Sequence, residues 1–396
     1  MRQPVLSLSC APIPLVHIGF IGLGKRGQKA IARYLSIERA HISALADLKS
    51  ETIQSILPLI PNHQPKTYVG ENAWKQLCEN KDLDLIYICT DWASHAEMAI
   101  YAMQNGKHVA IEVPAATTVA ECWELINTAE ETRKHCTLLE NCCYDRFALA
   151  TLRMAQSGLL GELTHCEGAY IHNLQTYFSE DNRTLWMQHH CKEHTGNPYP
   201  THGIGPIAQL LHIHRGDRMT SLTSLTAKNG TETGTTIIGS VNNTLIRTSL
   251  GKSILLQYDL STPRPYSRMQ TTCGTNGFTQ KYPIPIAMLR DETEPYTDKR
   301  LDHLLKQYEH PITTFWKEQM KRAKQENDEM NYIMDCRLIY CLRKGLPLDI
   351  DVYDAAEWSC IAELSELSSQ KGGEQIEIPD FTRGHWNDTK SLNLAE

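Results

Sequence analysis

The sequence predicts an α/β protein in two parts: a doubly wound parallel sheet, then an α+β part whose large, mainly antiparallel sheet is open on one face. Three observations carry this reading. Residues 17–139 alternate short apolar runs with helix-forming runs. A glycine-rich turn spaced G-x-G-x-x-G (Gly22, Gly24, Gly27) joins the first apolar run to the first helix. Beyond about residue 145, period-two runs separated by turn residues replace the alternation. Strand–helix alternation specifies a parallel sheet covered on both faces, whereas period-two patterning specifies a sheet with one solvated face. A length of 396 residues suits two domains better than one, and the boundary is placed at 1–145 and 146–396.

Taken in order, Ile18–Ile21 reads as a strand, Gln28–Leu35 as a helix and His41–Ala46 as the second strand. Leu85–Cys89 is the third strand, and His95–Asn105 a helix closed by Gly106. His108–Ile111 is the fourth strand, Thr118–Arg133 a helix and Cys136–Leu139 the fifth strand. A helix over Phe147–Ser157 opens the second part. Strand-like runs follow at Thr164–His172, Met219–Thr226, Thr235–Val241, Thr244–Ser249 and Ser253–Leu260. Helices are expected over Pro311–Glu326, Asn331–Lys344 and Val352–Ser369, with Gly345-Leu-Pro347 ending the middle one. No repeat or low-complexity tract interrupts the chain.

The glycine turn carries the clearest chemistry. Its three glycines provide a tight turn, close backbone approach to a diphosphate and close packing of helix on strand. The helix start adds backbone N–H groups and a positive dipole end. Asp47 closes the second apolar run twenty residues after Gly27, where an acidic side chain accepts hydrogen bonds from an adenosine ribose. Its charge repels a 2′-phosphate, so the expected cofactor is NAD. An empty βαβ turn is the alternative. Ligands of such sheets lie beyond the carboxyl ends of the strands, which gathers Thr90–His95, Glu112–Ala116 and Glu140–Tyr144 around the cofactor.

Bulk properties exclude several classes. A net charge of −7 disfavours nucleic acid and anionic membrane surfaces as partners, and no apolar run is long enough to span a bilayer. Residues 1–16 lack the apolar stretch of a signal peptide, so the cytoplasm is favoured, with export open to a chain whose leader has been removed. Thirteen cysteines with no C-x-x-C read as buried thiols in a reducing compartment rather than a disulfide framework. Six histidines crowd residues 188–214 (His189, His190, His194, His202, His212, His214) without the spacing of a metal site, so no metal is expected.

His202 stands apart. It lies in Tyr199-Pro-Thr-His202-Gly-Ile-Gly-Pro206 at an expected helix entry, fixed by Pro and Gly on both sides. Histidine titrates nearest neutrality, and Tyr199 offers a donor, an acceptor or a base. A helix-capping structural histidine is the alternative. Tyr170 ends a strand in Glu167-Gly-Ala-Tyr-Ile-His-Asn173, and Tyr266 sits in the proline-stiffened loop Ser261–Arg268. Such aromatics suit sugar rings, though each taken alone reads first as a packing tyrosine. No serine triad, nucleophilic cysteine or glycosidase carboxylate pair stands out.

Glu112-Val-Pro114 after the fourth strand resembles the Glu-Lys-Pro motif of the Gfo/Idh/MocA oxidoreductases, with Val113 in the lysine position. That family's Asp-x-x-x-His motif falls on His202 and Pro206, so its usual catalytic histidine is missing here. Six motifs spread over the chain are similar to a narrower group, glycoside hydrolase family 109. They are Leu138–Tyr144, Glu167–Asn173, Tyr199–Pro206, His214–Arg218, Pro263–Arg268 and Asp380–Trp386. The resemblance implies a Rossmann domain and an NAD-dependent α-N-acetylgalactosaminidase. In such an enzyme the sugar's 3-hydroxyl is transiently oxidised, the aglycone is eliminated, water adds and the ketone is reduced again. It implies cofactor contacts from Gly22, Gly24, Lys25, Arg26, Gly27, Asp47, Trp92, Ala93, Ser94, His95, Glu112, Val113, Asn141 and Tyr199. Substrate contacts would come from Tyr170, Met187, Tyr199, Pro200, Thr201, His202 and Tyr266, with His202 and Tyr199 as the acid/base pair. It also implies homo-oligomers formed through the open sheet of the second domain.

Two positions depart from the family pattern. Met187 follows Trp186 where a sugar-contacting arginine is usual, with Arg183 one loop turn away, and Asn327–Asn331 replaces His-Gly-Gly-Met-Asp, which would change the glycoside accepted if that stretch shapes the sugar pocket. The alternatives are a conventional NAD-dependent sugar dehydrogenase, or a sugar-binding protein with lapsed catalysis.

Overall fold

The computed structural model describes residues 3–60, 63–174, 185–227, 241–389, 392 and 394. The chain forms two compact units. Residues 1–140 and 315–356 make the first, and residues 141–314 and 357–392 the second.

In the first unit, β1 (Val16–Ile21), β2 (Ala40–Asp47), β3 (Lys66–Val69), β4 (Leu85–Ile88), β5 (His108–Ile111) and β6 (Cys136–Leu138) form one sheet, ordered β3-β2-β1-β4-β5-β6. Every pairing is parallel. Five helices join the strands: α1 (Lys25–Tyr34), α2 (Ser50–Ile56), α3 (Ala73–Glu79), α4 (Trp92–Gln104) and α5 (Val119–Thr132). The central strands β4 and β5 are wholly buried and, apart from His108, carry apolar or aromatic side chains, as a sheet covered on both faces requires. Phe20 and Tyr87 stack at 4.9 Å with Tyr34 edge-on to both, so β1, β4 and α1 share one aromatic core. Thr118 caps α5 in a reciprocal box with Glu121, which starts the helix one residue later than its apolar pattern suggests. Strand order reverses between β1 and β4, the switch point where such sheets bind ligands.

The stretch from Ser50 to Glu79 holds α2, β3 and α3, none of them expected from the sequence. Lys66-Thr-Tyr-Val69 is an edge strand with three of its four residues exposed, so it carries no apolar signal.

The second unit opens with α6 (Arg146–Gln156), capped by Asp145, whose carboxylate accepts the N–H groups of Phe147 and Ala148 at 2.9 and 3.2 Å. Its sheet contains β7 (Leu163–Ile171), β8 (Met219–Thr226), β9 (Asn242–Thr248), β10 (Ser253–Asp259), β11 (Ser267–Gly274), β12 (Gly277–Gln280), β13 (Ile286–Leu289) and β14 (Ile376–Glu377). The order is β13-β12-β11-β7-β10-β9-β8-β14, antiparallel except for β7 with β10. The strand expected over Thr235–Val241 lies, but for its last residue, outside the described residues. His212 and His214 sit on neither strand nor helix, since both adopt left-handed backbone (φ 57° and 62°) in a turn.

The helix Thr201–Leu210 lies on this sheet because two glycines let it. A Cβ on Gly168 would meet the Gly203 carbonyl oxygen at 2.4 Å, and one on Gly203 would meet the Ala169 nitrogen at 2.8 Å. Backbone thus touches backbone, which brings the first turn of the helix within side-chain reach of the end of β7.

Candidate active-site residues

The glycine turn behaves as its spacing predicts. Gly22 has φ +85°, and a Cβ there would strike the Cys89 carbonyl oxygen at 2.3 Å. A Cβ on Gly27 would strike the Gly22 oxygen at the same distance, so α1 packs directly on the turn. A Cβ on Gly24, the N-cap of α1, would meet nothing within 4 Å. That open space over a helix start, with no side chain capping it, fits a diphosphate.

Asp47 ends β2, and its two carboxylate oxygens accept the backbone N–H groups of Leu23 and Lys49 at 2.9 and 3.0 Å. The carboxylate is therefore oriented before any ribose arrives, and each oxygen keeps a further lone pair. After β4, Asp91 precedes α4, whose first residue Trp92 is buried while Ala93 is exposed. The Ser94 hydroxyl donates to Thr90 Oγ1 at 2.8 Å.

His95 is fully buried with a backbone oxygen at each ring nitrogen: Pro114 at 2.7 Å and Thr90 at 3.2 Å. It braces the loops after β4 and β5, and burial lowers its pKa against the two backbone oxygens, which favour the protonated ring. Glu112 Oε1 accepts both the Tyr87 hydroxyl at 2.8 Å and Arg26 Nε at 2.7 Å. Val113 is buried beside it. Asn141, which begins the second unit, opens the buried 3-10 turn Asn141–Tyr144.

In the second unit, Tyr170, Tyr199 and His202 come together. The Tyr170 and Tyr199 rings lie 4.5 Å apart, His202 is edge-on to Tyr170 at 5.3 Å, and the Tyr199 hydroxyl is 3.4 Å from His202 Nε2. Pro200 is the N-cap of the helix, and Thr201 is its first residue and fully buried. Tyr266, 43 % exposed, reaches the group through a residue the sequence reading passed over. His172 stands edge-on to Tyr266 at 5.1 Å and accepts or donates at the Tyr170 hydroxyl at 3.2 Å. Burial, with His202 adding to it, lowers the pKa of His172 and favours its neutral form. The signal was present in the period of a strand: residues 170 and 172 share one face.

The Tyr266 loop is anchored at its base. Arg268 donates to the Asp145 carboxylate at 2.9 Å, Lys281 pairs with the same oxygen, and these two cations hold the Asp145 pKa below the usual carboxylate range despite burial. Met187 lies partly exposed in the helix Leu185–Glu193, and Arg183 lies outside the described residues. The remaining clustered histidines go separate ways. His194 bonds Glu366 at 2.7 Å, His190 packs on His194 at 4.2 Å, and His214 pairs with Glu357 in the buried interior.

In Asn327–Asn331, Asn331 accepts from Arg26 at 2.9 Å and Asp328 accepts from Arg33 at 3.0 Å, both within the first unit. The stretch braces the turn-bearing helix α1.

Comparison with known proteins agrees with both halves. Residues 16–139 match the model described as "Oxidoreductase family, NAD-binding Rossmann fold", and residues 144–388 match "Glycosyl hydrolase 109, C-terminal domain". A Phocaeicola vulgatus protein named glycosyl hydrolase family 109 protein 2 is 51% identical over 98% of this chain and 100% of its own length. The chain belongs to glycosyl hydrolase family 109. A Bacteroides fragilis relative named alpha-N-acetylgalactosaminidase is 53% identical over 96% of this chain and 95% of its own. Among solved structures, an NAD binding oxidoreductase from Klebsiella pneumoniae superposes with TM-score 0.70 at 14% identity, covering 93% of this chain and all of its own. Levoglucosan dehydrogenase, solved with NADH and levoglucosan, gives TM-score 0.70 at 16% identity over 92% of this chain and all of its own. These two likenesses show a shared fold, and the Gfo/Idh/MocA label rests on the family model matched over residues 16–139. Its cofactor is NAD, held by the Rossmann unit. Among the described residues no helix is long and apolar enough to cross a membrane.

Proposed function

We propose that this family 109 protein is an NAD-dependent α-N-acetylgalactosaminidase, with residues 1–145 serving the dinucleotide, joined by residues 315–356 of the first unit, and the rest of residues 146–396 the glycoside. The observation that carries the reading is the Tyr170–Tyr199–His202 group. It sets the Tyr199 hydroxyl 3.4 Å from His202 Nε2, with the Tyr170 ring 4.5 Å from that of Tyr199 and 5.3 Å from that of His202. The bound NAD supplies reversible hydride transfer with a sugar hydroxyl.

Gly22, Gly24 and Gly27 admit the diphosphate at the start of α1, with Lys25 and Arg26 beside it and Asp47 set for the ribose. Trp92–His95, Glu112, Val113 and Asn141 complete the cofactor contacts. Tyr199 and His202 exchange the protons that leave and return at the sugar, since an imidazole next to a phenol can pass a proton across their shared hydrogen bond. Tyr170 and Tyr266 offer ring faces to the apolar side of the sugar, while Met187, Pro200 and Thr201 shape its surround.

An anomer-resolved panel of aryl glycosides, assayed with and without added NAD, tests the proposal. α-N-acetylgalactosaminide cleavage that depends on NAD with no net rise in NADH absorbance supports it. Stoichiometric NADH with oxidised sugar identifies a dehydrogenase instead. We further propose a homo-oligomer formed through the second sheet, supported by Leu225 and Leu245, exposed on one face of β8 and β9 at 59% and 52%. Light scattering of the purified protein reads the subunit number directly.

A further inference from the structure

Arg26, the second residue of α1, is held on two sides within the first unit. Its Nε donates to Glu112 Oε1 at 2.7 Å, and its Nη2 donates to Asn331 Oδ1 at 2.9 Å. Asn331 is itself fixed, since its Nδ2 donates to Asp328 Oδ1 at 2.6 Å. The other oxygen of Asp328 accepts from Arg33 Nη1 at 3.0 Å, and Arg33 Nε donates to Asp335 at 2.6 Å. A continuous relay of polar bonds therefore runs from Glu112 through Arg26 and Asn331 to the buried Arg33 on the far turn of the same helix. Asn331 is 7% exposed and Arg33 1%, whereas the Arg26 side chain is 38% exposed at the mouth of the glycine turn.

We propose that Asn331 is a positioning residue for the dinucleotide, acting through Arg26. This rests on the NAD reading above. A free arginine side chain samples many rotamers, and a ligand that needs it must offset that lost freedom. Two bonds from rigid partners fix the guanidinium at the helix start before the cofactor arrives. The amide suits its place on two counts. It adds no second negative charge from position 331, so the guanidinium keeps more attraction for a phosphate than an aspartate there would leave it. It also donates to Asp328, which a carboxylate at position 331 could not do without a proton.

The test is a double-variant cycle read as the dissociation constant for NAD, measured by quenching of tryptophan fluorescence on cofactor-stripped full-length protein. Asn331→Leu is expected to raise the constant about tenfold, the size of one hydrogen bond to a charged group. Arg26→Met is expected to raise it further. The combined variant should bind no more weakly than Arg26→Met alone, because Asn331 works only through the arginine. Asn331→Ser, a smaller change, replaces Asn331→Leu in the cycle if that variant does not melt cooperatively without cofactor. Losses that add, or an Asn331 variant that binds like the parent, overturn the proposal while leaving the NAD reading intact. A parent protein that takes up no NAD overturns both.

Discussion

The Tyr199 hydroxyl lies 3.4 Å from Nε2 of His202, and the two rings meet at 90° with centroids 4.8 Å apart. The pair straddles the entry to the helix Thr201–Leu210, so residues three apart in sequence form one hydrogen-bonded couple, proposed above as the acid/base pair. Replacing His202 by Ala is expected to lower turnover about 10²- to 10⁴-fold, the usual worth of a positioned acid/base group. NAD affinity should change little, since the glycine turn belongs to the other unit. Stopped-time assays beside cofactor titration separate the two quantities, and parental turnover in the variant eliminates the assignment.

Gly203 sets that pair against β7. A methyl group there would approach the Ala169 nitrogen to 2.8 Å, so Gly203→Ala must lift the helix off the strand. Overpacking of this kind costs about 1–3 kcal/mol, and the displaced helix carries Tyr199 and His202 away from Tyr170. Thermal melting should fall by several degrees and activity should drop far more than stability alone explains. A variant with parental kcat would show that the close contact has no bearing on the site.

Much of this was readable from the sequence. The glycine turn, Asp47 and the central strands follow from local chemistry: Gly22 and Gly27 meet backbone that a side chain could not share, Gly24 leaves the helix start open, and apolar runs are the mark of strands buried on both faces. His202 at a helix entry followed from the Pro and Gly around it. What was hidden depends on pairings distant in sequence. β3 is an exposed edge strand, and β11–β13 are short or bulged, so neither shows clean alternation. The role of Asn331 could not be read at all, because its partner Arg26 lies 305 residues away.

Asp47 offers a cofactor test. Its carboxylate holds the Leu23 and Lys49 N–H groups as well as facing the expected ribose, so Asp47→Ala removes both turn order and a cofactor acceptor. NAD should bind about tenfold or more weakly, while discrimination against NADP relaxes because the repelling charge is gone. Calorimetric titration with each dinucleotide reads both effects. Unchanged preference for NAD would remove Asp47 from the recognition scheme.

Met187, proposed above as part of the sugar's surround, carries a prediction about substrate choice. A thioether gives no directional donor, whereas an arginine fork can bind sugar oxygens through several N–H groups. Met187→Arg should lower KM for aryl α-N-acetylgalactosaminides with kcat less affected. A raised KM on every substrate of the panel would show that the methionine side chain itself makes the fitting contact.

The first unit carries a titration built into its core. His108 at the start of β5 and His135 just before β6 face each other at 5.0 Å, with the His135 N–H donating to Nδ1 of His108 at 3.1 Å. Burial, with the neighbouring His135 and Lys134 adding to it, pushes His108 down to about 3. Burial and Lys134 bring His135 to about 4. Both rings are therefore neutral in the folded protein, while in the unfolded chain each takes a proton near pH 6.5. Above that pH the pair leaves stability unaffected. As pH falls below it, the unfolded chain binds protons the fold refuses, and stability drops by up to about 1.4 kcal/mol per pH unit for each ring until the folded pKa is reached. Melting temperature should accordingly decline from pH 6.5 toward pH 4.5, and the slope should flatten in His135→Asn, which removes one of the two titrating rings. An identical decline in that variant would place the acid sensitivity elsewhere.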